Sequence, residues 1–173
     1  LTWNNSTSWA TSAADETTKG DSLPQKGLTD LGKKIIKRMN DLGMLIDVSH
    51  NGEQTFWDVM KLTKKPVIAS HSSVWAFCHH RRNLKDDQIK AIANNGGVIH
   101  LNFYAGFLDS TYETKDHSFL AKHKSEVDSM IAAGAQPDYA QIMMMEKYRT
   151  ETDSFRPPLS LLIDHLDYVV KLV

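Results

Sequence analysis

Residues 44–71 read MLIDVSHNGEQTFWDVMKLTKKPVIASH, and this stretch decides the fold class. A short apolar run of strand length stands at each end, and Phe56 and Met60 recur at helical spacing within Glu53–Leu62 between them. Short buried strands joined by one amphipathic helix are typical of a parallel sheet built from right-handed β-α units. The stretch therefore predicts an α/β protein.

The same alternation of predicted helices and strands, called the cycle below, continues on both sides of this stretch. Upstream, apolar residues recur every three or four positions from Thr29, and Gly43 ends the predicted helix. Downstream, we predict a helix over 86–94, a strand over 97–103 and a last amphipathic helix after Pro158. This spacing fits both a (β/α)8 barrel and an open doubly wound sheet. No G-x-G-x-x-G follows any strand, which removes the best signature of an open nucleotide-binding sheet.

Two regions lie outside the cycle. Small polar residues dominate the first 28 positions, and their composition predicts a long loop. Between 105 and 156 the sequence contains charged helical stretches without the strand rhythm. The run Met143-Met144-Met145 within this region predicts a helix that neighbouring structure partly covers, because methionine commonly fills gaps between packed elements.

Composition excludes several classes of protein. The chain has 173 residues, 41% of them hydrophobic, and a net charge of −1, so it carries no electrostatic footprint for nucleic acid. No apolar run reaches the roughly 18 residues of a membrane span. A single cysteine, Cys78, excludes an intrachain disulfide framework. The first residue is Leu1 and the last apolar run reaches Val173, so we expect a segment of a larger domain.

Both strands of the deciding stretch end in Ser-His. His50 and His71 are 21 residues apart with one helix between them. Because adjacent parallel strands lie about 4.8 Å apart and end at the same edge, two imidazoles there can reach one metal ion. A histidine at a strand end is more often a hydrogen-bonded structural residue, and on spacing alone both interpretations stay open.

A basic loop follows the second Ser-His pair. It reads His79-His80-Arg81-Arg82-Asn83, and the planar guanidinium of an arginine can bind both oxygens of a carboxylate. Taken alone, the loop is also compatible with a solvated basic turn.

These motifs, in this order and followed by Asn95-Gly96-Gly97-Val98 and Asn102-Phe103-Tyr104, closely resemble the membrane (renal-type) dipeptidase family of zinc metallopeptidases. The resemblance is dense from Leu1 to Tyr104, weak over 105–156, and returns faintly in 162–167. It implies the later half of a (β/α)8 TIM-type barrel with parallel strands. It also implies that 105–156 is an inserted helical segment near the active-site mouth.

The resemblance also implies the chemistry. Family members hold two zinc ions at the barrel mouth and cleave dipeptides by a metal-bound hydroxide. By the family pattern, His50 and His71 are zinc ligands and Arg82 binds the terminal carboxylate of the substrate. The other family ligands have no counterpart in this sequence, so this segment alone is expected to be inactive and the remainder of the domain is an expected partner.

One residue departs from the family pattern. Trp3 stands where the family usually has a histidine that contacts the substrate or polarises its scissile carbonyl. An indole N–H can only donate one hydrogen bond, so either the substrate differs, Asn4 or Asn5 compensates, or activity is lost. Non-catalytic binding relatives and metal-dependent amidohydrolases with a non-peptide substrate therefore stay open. A homodimer and an extracytoplasmic or membrane-associated location are compatible with the resemblance.

A serine hydrolase is the least favoured alternative. Ser49, Ser70 and Ser72 lie next to histidines, but no G-x-S-x-G elbow surrounds them. Asp47 alternates away from His50 along a strand of period two, so we expect a structural role facing the outer layer.

The remaining titratable side chains are expected to be structural. We predict packing or a second-layer position for His100, and surface or core positions on helices for His117, His123 and His165. Cys78 is expected to pack near the arginine loop.

Overall fold

The computed structural model describes residues 1–173 and contains one sheet of three parallel strands. The strands lie in the order β1 (Ile46–Asp47), β2 (Val67–Ser72) and β3 (Val98–Leu101). Ile46 pairs with Val67, and Ile68 pairs with Val98. The predicted α/β class with parallel strands is confirmed. The strands β1 and β3 are shorter than their apolar runs, whereas β2 extends beyond its run to Ser72.

Helices connect and flank the strands. They are α1 (Ala13–Lys19), α2 (Asp30–Asp41), α3 (Glu53–Leu62), α4 (Asp86–Asn94), α5 (Ala105–Leu108), α6 (Tyr112–Lys122), α7 (Lys124–Ala132), α8 (Pro137–Lys147), α9 (Arg149–Thr152) and α10 (Leu159–Leu172). Short 3-10 turns occupy Gly20–Ser22 and Asp153–Phe155. The predicted bounds of α3 and α4 are confirmed to the residue.

Local chemistry sets the ends of the helices in the β-α units. The Thr29 side chain accepts a hydrogen bond from the Gly32 amide at 3.1 Å and caps the first turn of α2. Gly43 adopts a φ of 69° after that helix, a conformation that favours glycine. At the turn into β3, a Cβ on Gly97 would lie 2.5 Å from the Val67 carbonyl oxygen, so only glycine allows α4 to approach the sheet this closely.

Helices cover one face of the sheet and form the main core. Its buried apolar residues are Ala10, Leu28, Ile36, Ile46, Val48, Phe56, Val59, Val67, Ala69, Val74, Leu84, Ile89 and Ile92. On the opposite face Val98 and His100 are exposed. The packed or second-layer position of His100 stays a prediction, because alternation along β3 turns its side chain to the face that no helix of this chain covers.

The N-terminal segment is more ordered than its composition predicted. The Ser12 side chain accepts from the Asp15 amide at 3.1 Å and starts α1, so the predicted uninterrupted loop is wrong. Thr11 exchanges two hydrogen bonds with the Thr55 side chain of α3, at 3.1 and 2.9 Å. These contacts attach the segment to the unit that carries the strands.

The 105–156 segment is helical, as predicted. Its small apolar core consists of Phe119, Val127, Ala140 and Met144. Within the methionine run Met144 is buried and Met143 is 40% exposed, which confirms a partly covered helix. That the segment is an insertion stays a prediction.

A buried histidine attaches the last helix to the loop after β2 and to α5. His165 accepts a hydrogen bond from the Val74 amide at Nδ1 (3.1 Å), and its Nε2 lies 3.2 Å from the Leu108 carbonyl oxygen. We predicted surface or core positions for the histidines on helices. His165 takes a core position, and His117 lies on the surface. None of the helices is both long and apolar enough to cross a membrane.

Candidate metal centre

The two Ser-His tips meet at one edge of the sheet. The Nε2 atoms of His50 and His71 are 2.9 Å apart, and their ring centroids are separated by 4.9 Å. His50 is only 9% exposed. The convergence predicted from the 21-residue spacing is therefore present.

Backbone and side-chain hydrogen bonds hold the tips together. The Val48 amide continues the pairing beyond β1 by donating to the Ile68 carbonyl at 2.9 Å. The hydroxyl of Ser49 accepts from the His71 amide at 3.0 Å. Because parallel strands end at the same edge, these short-range contacts are enough to align two side chains from distant parts of the sequence.

The histidine pair fits a shared zinc ion. Two nitrogens, each about 2.0–2.1 Å from one tetrahedral zinc ion, would be separated by roughly 3.3 Å. The observed 2.9 Å differs from this by a few tenths of an ångström. Burial, together with Arg82 and His71, lowers the pKa of His50 to about 4, and burial and Arg82 also lower the pKa of His71. Both imidazoles are thus neutral near pH 7, the form that binds metals.

The pair alone is an incomplete metal site. No group of three or more His, Cys, Asp or Glu side chains in the 173 residues converges as a metal site would require. Structural zinc sites use four protein ligands and catalytic sites commonly use three. The two histidines therefore provide part of a ligand set.

Asp47 lies beside the histidine tips and does not face the outer layer, so its predicted orientation is wrong. Its carboxylate accepts hydrogen bonds from the Ser49 amide (3.0 Å), the Ser70 amide (3.2 Å) and the Ser70 hydroxyl (2.5 Å). These three donors outweigh the effect of burial and lower the pKa of Asp47. The prediction failed because β1 ends at Asp47, so strand alternation does not continue to His50.

Arg82 lies beneath both tips. Its Nε donates to the Ser49 carbonyl at 2.8 Å, and Nη2 donates to the His71 carbonyl at 3.3 Å. Although burial lowers the pKa of Arg82 to about 10, its guanidinium remains charged at neutral pH. No carboxylate of the chain forms an ion pair with it.

The arginine loop is anchored to the first helix of the 105–156 segment. Asn83 Nδ2 donates to the carbonyls of Cys78 (2.9 Å) and Phe107 (2.7 Å). Cys78 is buried near this loop, as predicted, and its thiol donates to the Gly106 carbonyl at 3.3 Å. Arg82 and Asn83 are thus packed, whereas His79 and Arg81 of the same loop are exposed.

Trp3 lies edge-on to the ring of His50. Its ring centroid is 6.4 Å from that of His50, and the side chain is 70% exposed. The structure therefore places all four sequence-predicted site residues, Trp3, His50, His71 and Arg82, around one edge of the sheet.

The serines do not form a hydrolytic triad. Ser70 lies between Asp47 and His71, with its hydroxyl oxygen 2.7 Å from His71 Nδ1. In a serine hydrolase the histidine is central, since it accepts the serine proton while the aspartate orients it. Here the serine is central, and its proton is already donated to a carboxylate.

Sequence reasoning missed the roles of Asp47 and Ser70. The available signal was the presence of short polar side chains just before each histidine. Asp47 and Ser49 precede His50, and Ser70 precedes His71. Short polar side chains beside a predicted ligand are candidates for hydrogen bonds to that ligand.

Comparison with known proteins agrees with this geometry. The sequence profile of the membrane dipeptidase family (Peptidase family M19) matches residues 1–173. An uncharacterized dipeptidase from Schizosaccharomyces pombe is 42% identical over 108 residues, which make up 62% of this chain and 25% of that protein.

Two solved structures from Pseudomonas aeruginosa share the fold. The probable dipeptidase PvdM matches the whole chain with a TM-score of 0.68 and 24% identity, over 47% of its own length. An amidohydrolase matches 72% of the chain with a TM-score of 0.55 and 26% identity, over 37% of its own length. The chain thus spans a quarter of the length of the curated relative and about half that of the first structure.

Proposed function

Because the chain belongs to the membrane dipeptidase family, Peptidase family M19, we propose that it contributes His50 and His71 to the zinc centre of a dipeptidase. The observation that carries this proposal is the approach of the two Nε2 atoms to 2.9 Å at the carboxyl edge of a parallel sheet. Active sites of (β/α)8 barrels lie at this edge. The sheet would form part of such a barrel.

The metal supplies the hydrolytic chemistry. A zinc ion held by histidines lowers the pKa of a bound water towards 7 and polarises the carbonyl to be attacked. His50 and His71 would hold a metal ion through Nε2, and the proposed centre of two ions would take its remaining ligands from residues outside this sequence. This proposal agrees with the presence of two converging ligands and no third.

Arg82 selects substrates with a free carboxylate in this proposal. Its charge is buried and it forms no direct ion pair with a carboxylate of the chain, while two of its five N–H groups bind the carbonyls of Ser49 and His71. The remaining donors can bind a carboxylate, which restricts cleavage to short peptides. Trp3, exposed at the same edge, would contact the substrate through its ring face or its single N–H.

The 105–156 segment would shape access to the site. An open groove of about 560 Å³ lies between the arginine loop and the start of the segment, and His80, Arg81, Asp109 and Glu113 are among the residues that line it. His80 Nε2 is 3.4 Å from the Glu113 carboxylate. The segment thus borders a groove beside the arginine loop, as we propose for an insertion near the mouth.

The zinc content of the His71→Ala variant of the full-length protein tests the assignment. We expect loss of zinc by elemental analysis and at least a hundredfold loss of dipeptide hydrolysis, because one ligand of a shared ion is removed. His117→Ala is the matched control, since His117 is exposed on α6 and contacts none of these residues. Unchanged zinc stoichiometry in His71→Ala would refute the assignment.

A non-peptide substrate is the second candidate function. It is supported by the structural likeness to an amidohydrolase and by tryptophan at position 3. A panel of dipeptides and cyclic amides, assayed on the zinc-loaded full-length protein, separates the candidates. Hydrolysis of dipeptides supports the first function, hydrolysis of cyclic amides alone supports the second, and bound zinc without turnover identifies a non-catalytic relative.

A further inference from the structure

The ring nitrogen of His71 that faces away from His50 has its own hydrogen-bond partner. His71 Nδ1 is 2.7 Å from the hydroxyl oxygen of Ser70, and that oxygen is 2.5 Å from Asp47 Oδ2. The three groups therefore form a chain that runs from a carboxylate through a hydroxyl to the imidazole.

The Asp47 carboxylate determines which atom donates and which accepts in each of these hydrogen bonds. The other Asp47 oxygen already accepts from the Ser49 and Ser70 amides, so the group is held ionised and can only accept. The single hydroxyl proton of Ser70 must then point to Asp47. The Ser70 oxygen is left as an acceptor towards His71, which must carry its proton on Nδ1.

His50 provides the contrast within the same site. Its Nδ1 is buried and has no hydrogen-bond partner, whereas its Nε2 faces His71 Nε2. With His71 protonated at Nδ1, the 2.9 Å contact requires His50 to donate from Nε2. Of the two histidines, only His71 has its metal-binding lone pair already exposed at Nε2.

We propose that Ser70 and Asp47 are positioning residues that hold His71 as the Nδ1–H tautomer, so that its Nε2 is preset as a metal ligand. The metal-binding part of this inference rests on the proposed function. A ligating histidine commonly donates its other N–H to a fixed acceptor, and loss of that acceptor lowers metal affinity about 10–100-fold. Here the acceptor is a hydroxyl polarised by an ionised carboxylate.

The tautomer is measured directly by nitrogen NMR. In the metal-free full-length protein with 15N-labelled histidine, we expect His71 Nδ1 to have the shift of a protonated nitrogen and Nε2 that of an unprotonated one. In Ser70→Ala this preference is lost, and zinc affinity measured against a competing chelator falls about 10–100-fold. Ser70→Thr keeps the hydroxyl and restores both properties.

Two further variants keep the test decisive. Asp47→Asn removes the charge that orients the Ser70 proton, so it should redistribute the tautomers even where Ser70→Ala does not fold. Ser72→Ala is the matched control on the same strand, because the Ser72 hydroxyl is buried without a partner. It should change neither the tautomer nor zinc affinity.

The outcomes separate this inference from the proposed function. An Nε2–H tautomer for His71 in the metal-free wild type, or unchanged tautomer and zinc affinity in both Ser70→Ala and Asp47→Asn, overturns the inference while zinc binding and hydrolysis still stand. A fixed Nδ1–H tautomer that depends on Ser70 in a protein that binds no zinc supports the hydrogen-bond chain and refutes the proposed function.

Discussion

The strand-containing unit and the 105–156 segment each have a core of their own, yet they are stabilised differently. In the strand-containing unit, 13 buried apolar residues form one core between the sheet and its helices. In the helical segment only four buried apolar residues form a core. Exposed ion pairs such as Lys122–Glu151 and Lys147–Glu126 link its helices. Exposed ion pairs stabilise a structure weakly, whereas burial of apolar area dominates folding.

The difference explains where the metal site lies. Two histidine nitrogens must be held within a fraction of an ångström, and this requires side chains on a rigid scaffold. His50 and His71 follow strands whose buried residues Ile46, Val67 and Ala69 belong to the main core. The helical segment contacts the residues around this site, since the Phe107 carbonyl accepts a hydrogen bond from Asn83, but it contributes neither of the converging nitrogens.

The largest expected effect on the free energy of unfolding comes from removing one phenylalanine side chain from each core. Phe56→Ala removes a side chain that is 1% exposed from the main core and should lower the free energy of unfolding by about 3–5 kcal/mol. Phe119→Ala should lower it by less, about 3 kcal/mol, because the smaller core has four buried apolar residues instead of 13. Urea denaturation measures both values.

Amide hydrogen exchange then sharpens the comparison. Phe119→Ala should accelerate exchange in 112–152 and leave 46–101 protected, if the two cores are stabilised separately. Equal acceleration in both regions would show that they unfold as one unit.

A second prediction concerns the connection between the two regions. Asn83 is 6% exposed, and its side chain bonds the Ser73 amide and the carbonyls of Cys78 and Phe107. Asn83→Ala leaves these buried groups unpaired and should lower the free energy of unfolding by about 2–3 kcal/mol.

Chemical denaturation compares this variant with Asn94→Ala, whose side chain is exposed at the end of α4. A similar small loss in both variants would mean that the contact between the two regions contributes little.

The smallest expected effect is electrostatic and lies in the helical segment. Contacts with Lys147, His123 and Tyr148 lower the pKa of Glu126 from 4.5 to about 2. A carboxylate with a lowered folded-state pKa stabilises the fold above its ordinary pKa, and this contribution disappears as the pH falls from about 4.5 to 2. Glu126→Gln should therefore lower the Tm by about 1–2 °C at pH 7 and not at pH 2.

Thermal melts followed by circular dichroism at both pH values measure the difference. Asp41→Asn on α2 is the control, since Asp41 is exposed and forms no ion pair. A deficit in Glu126→Gln that persists at pH 2 would assign its effect to side-chain packing instead of charge.

Local patterns determined most of the secondary structure. The bounds of α3 and α4 follow from apolar spacing, and the end of α2 follows from Gly43, because these signals act within a few residues. The convergence of His50 and His71 was also predictable, since parallel strands end at a common edge. The helix α1 escaped prediction because one cap, Ser12, outweighed a loop-like composition.

The sequence by itself determined the α/β class, the family motifs and the two histidines of the candidate site. Only the tertiary structure placed Asp47 and Ser70 behind His71 and buried Arg82 against the carbonyls of Ser49 and His71. The physical reason is distance along the chain. Spacing specifies neighbours within a helix or strand, whereas hydrogen bonds between residues 11 to 33 positions apart depend on where the strands stop and how the loops turn.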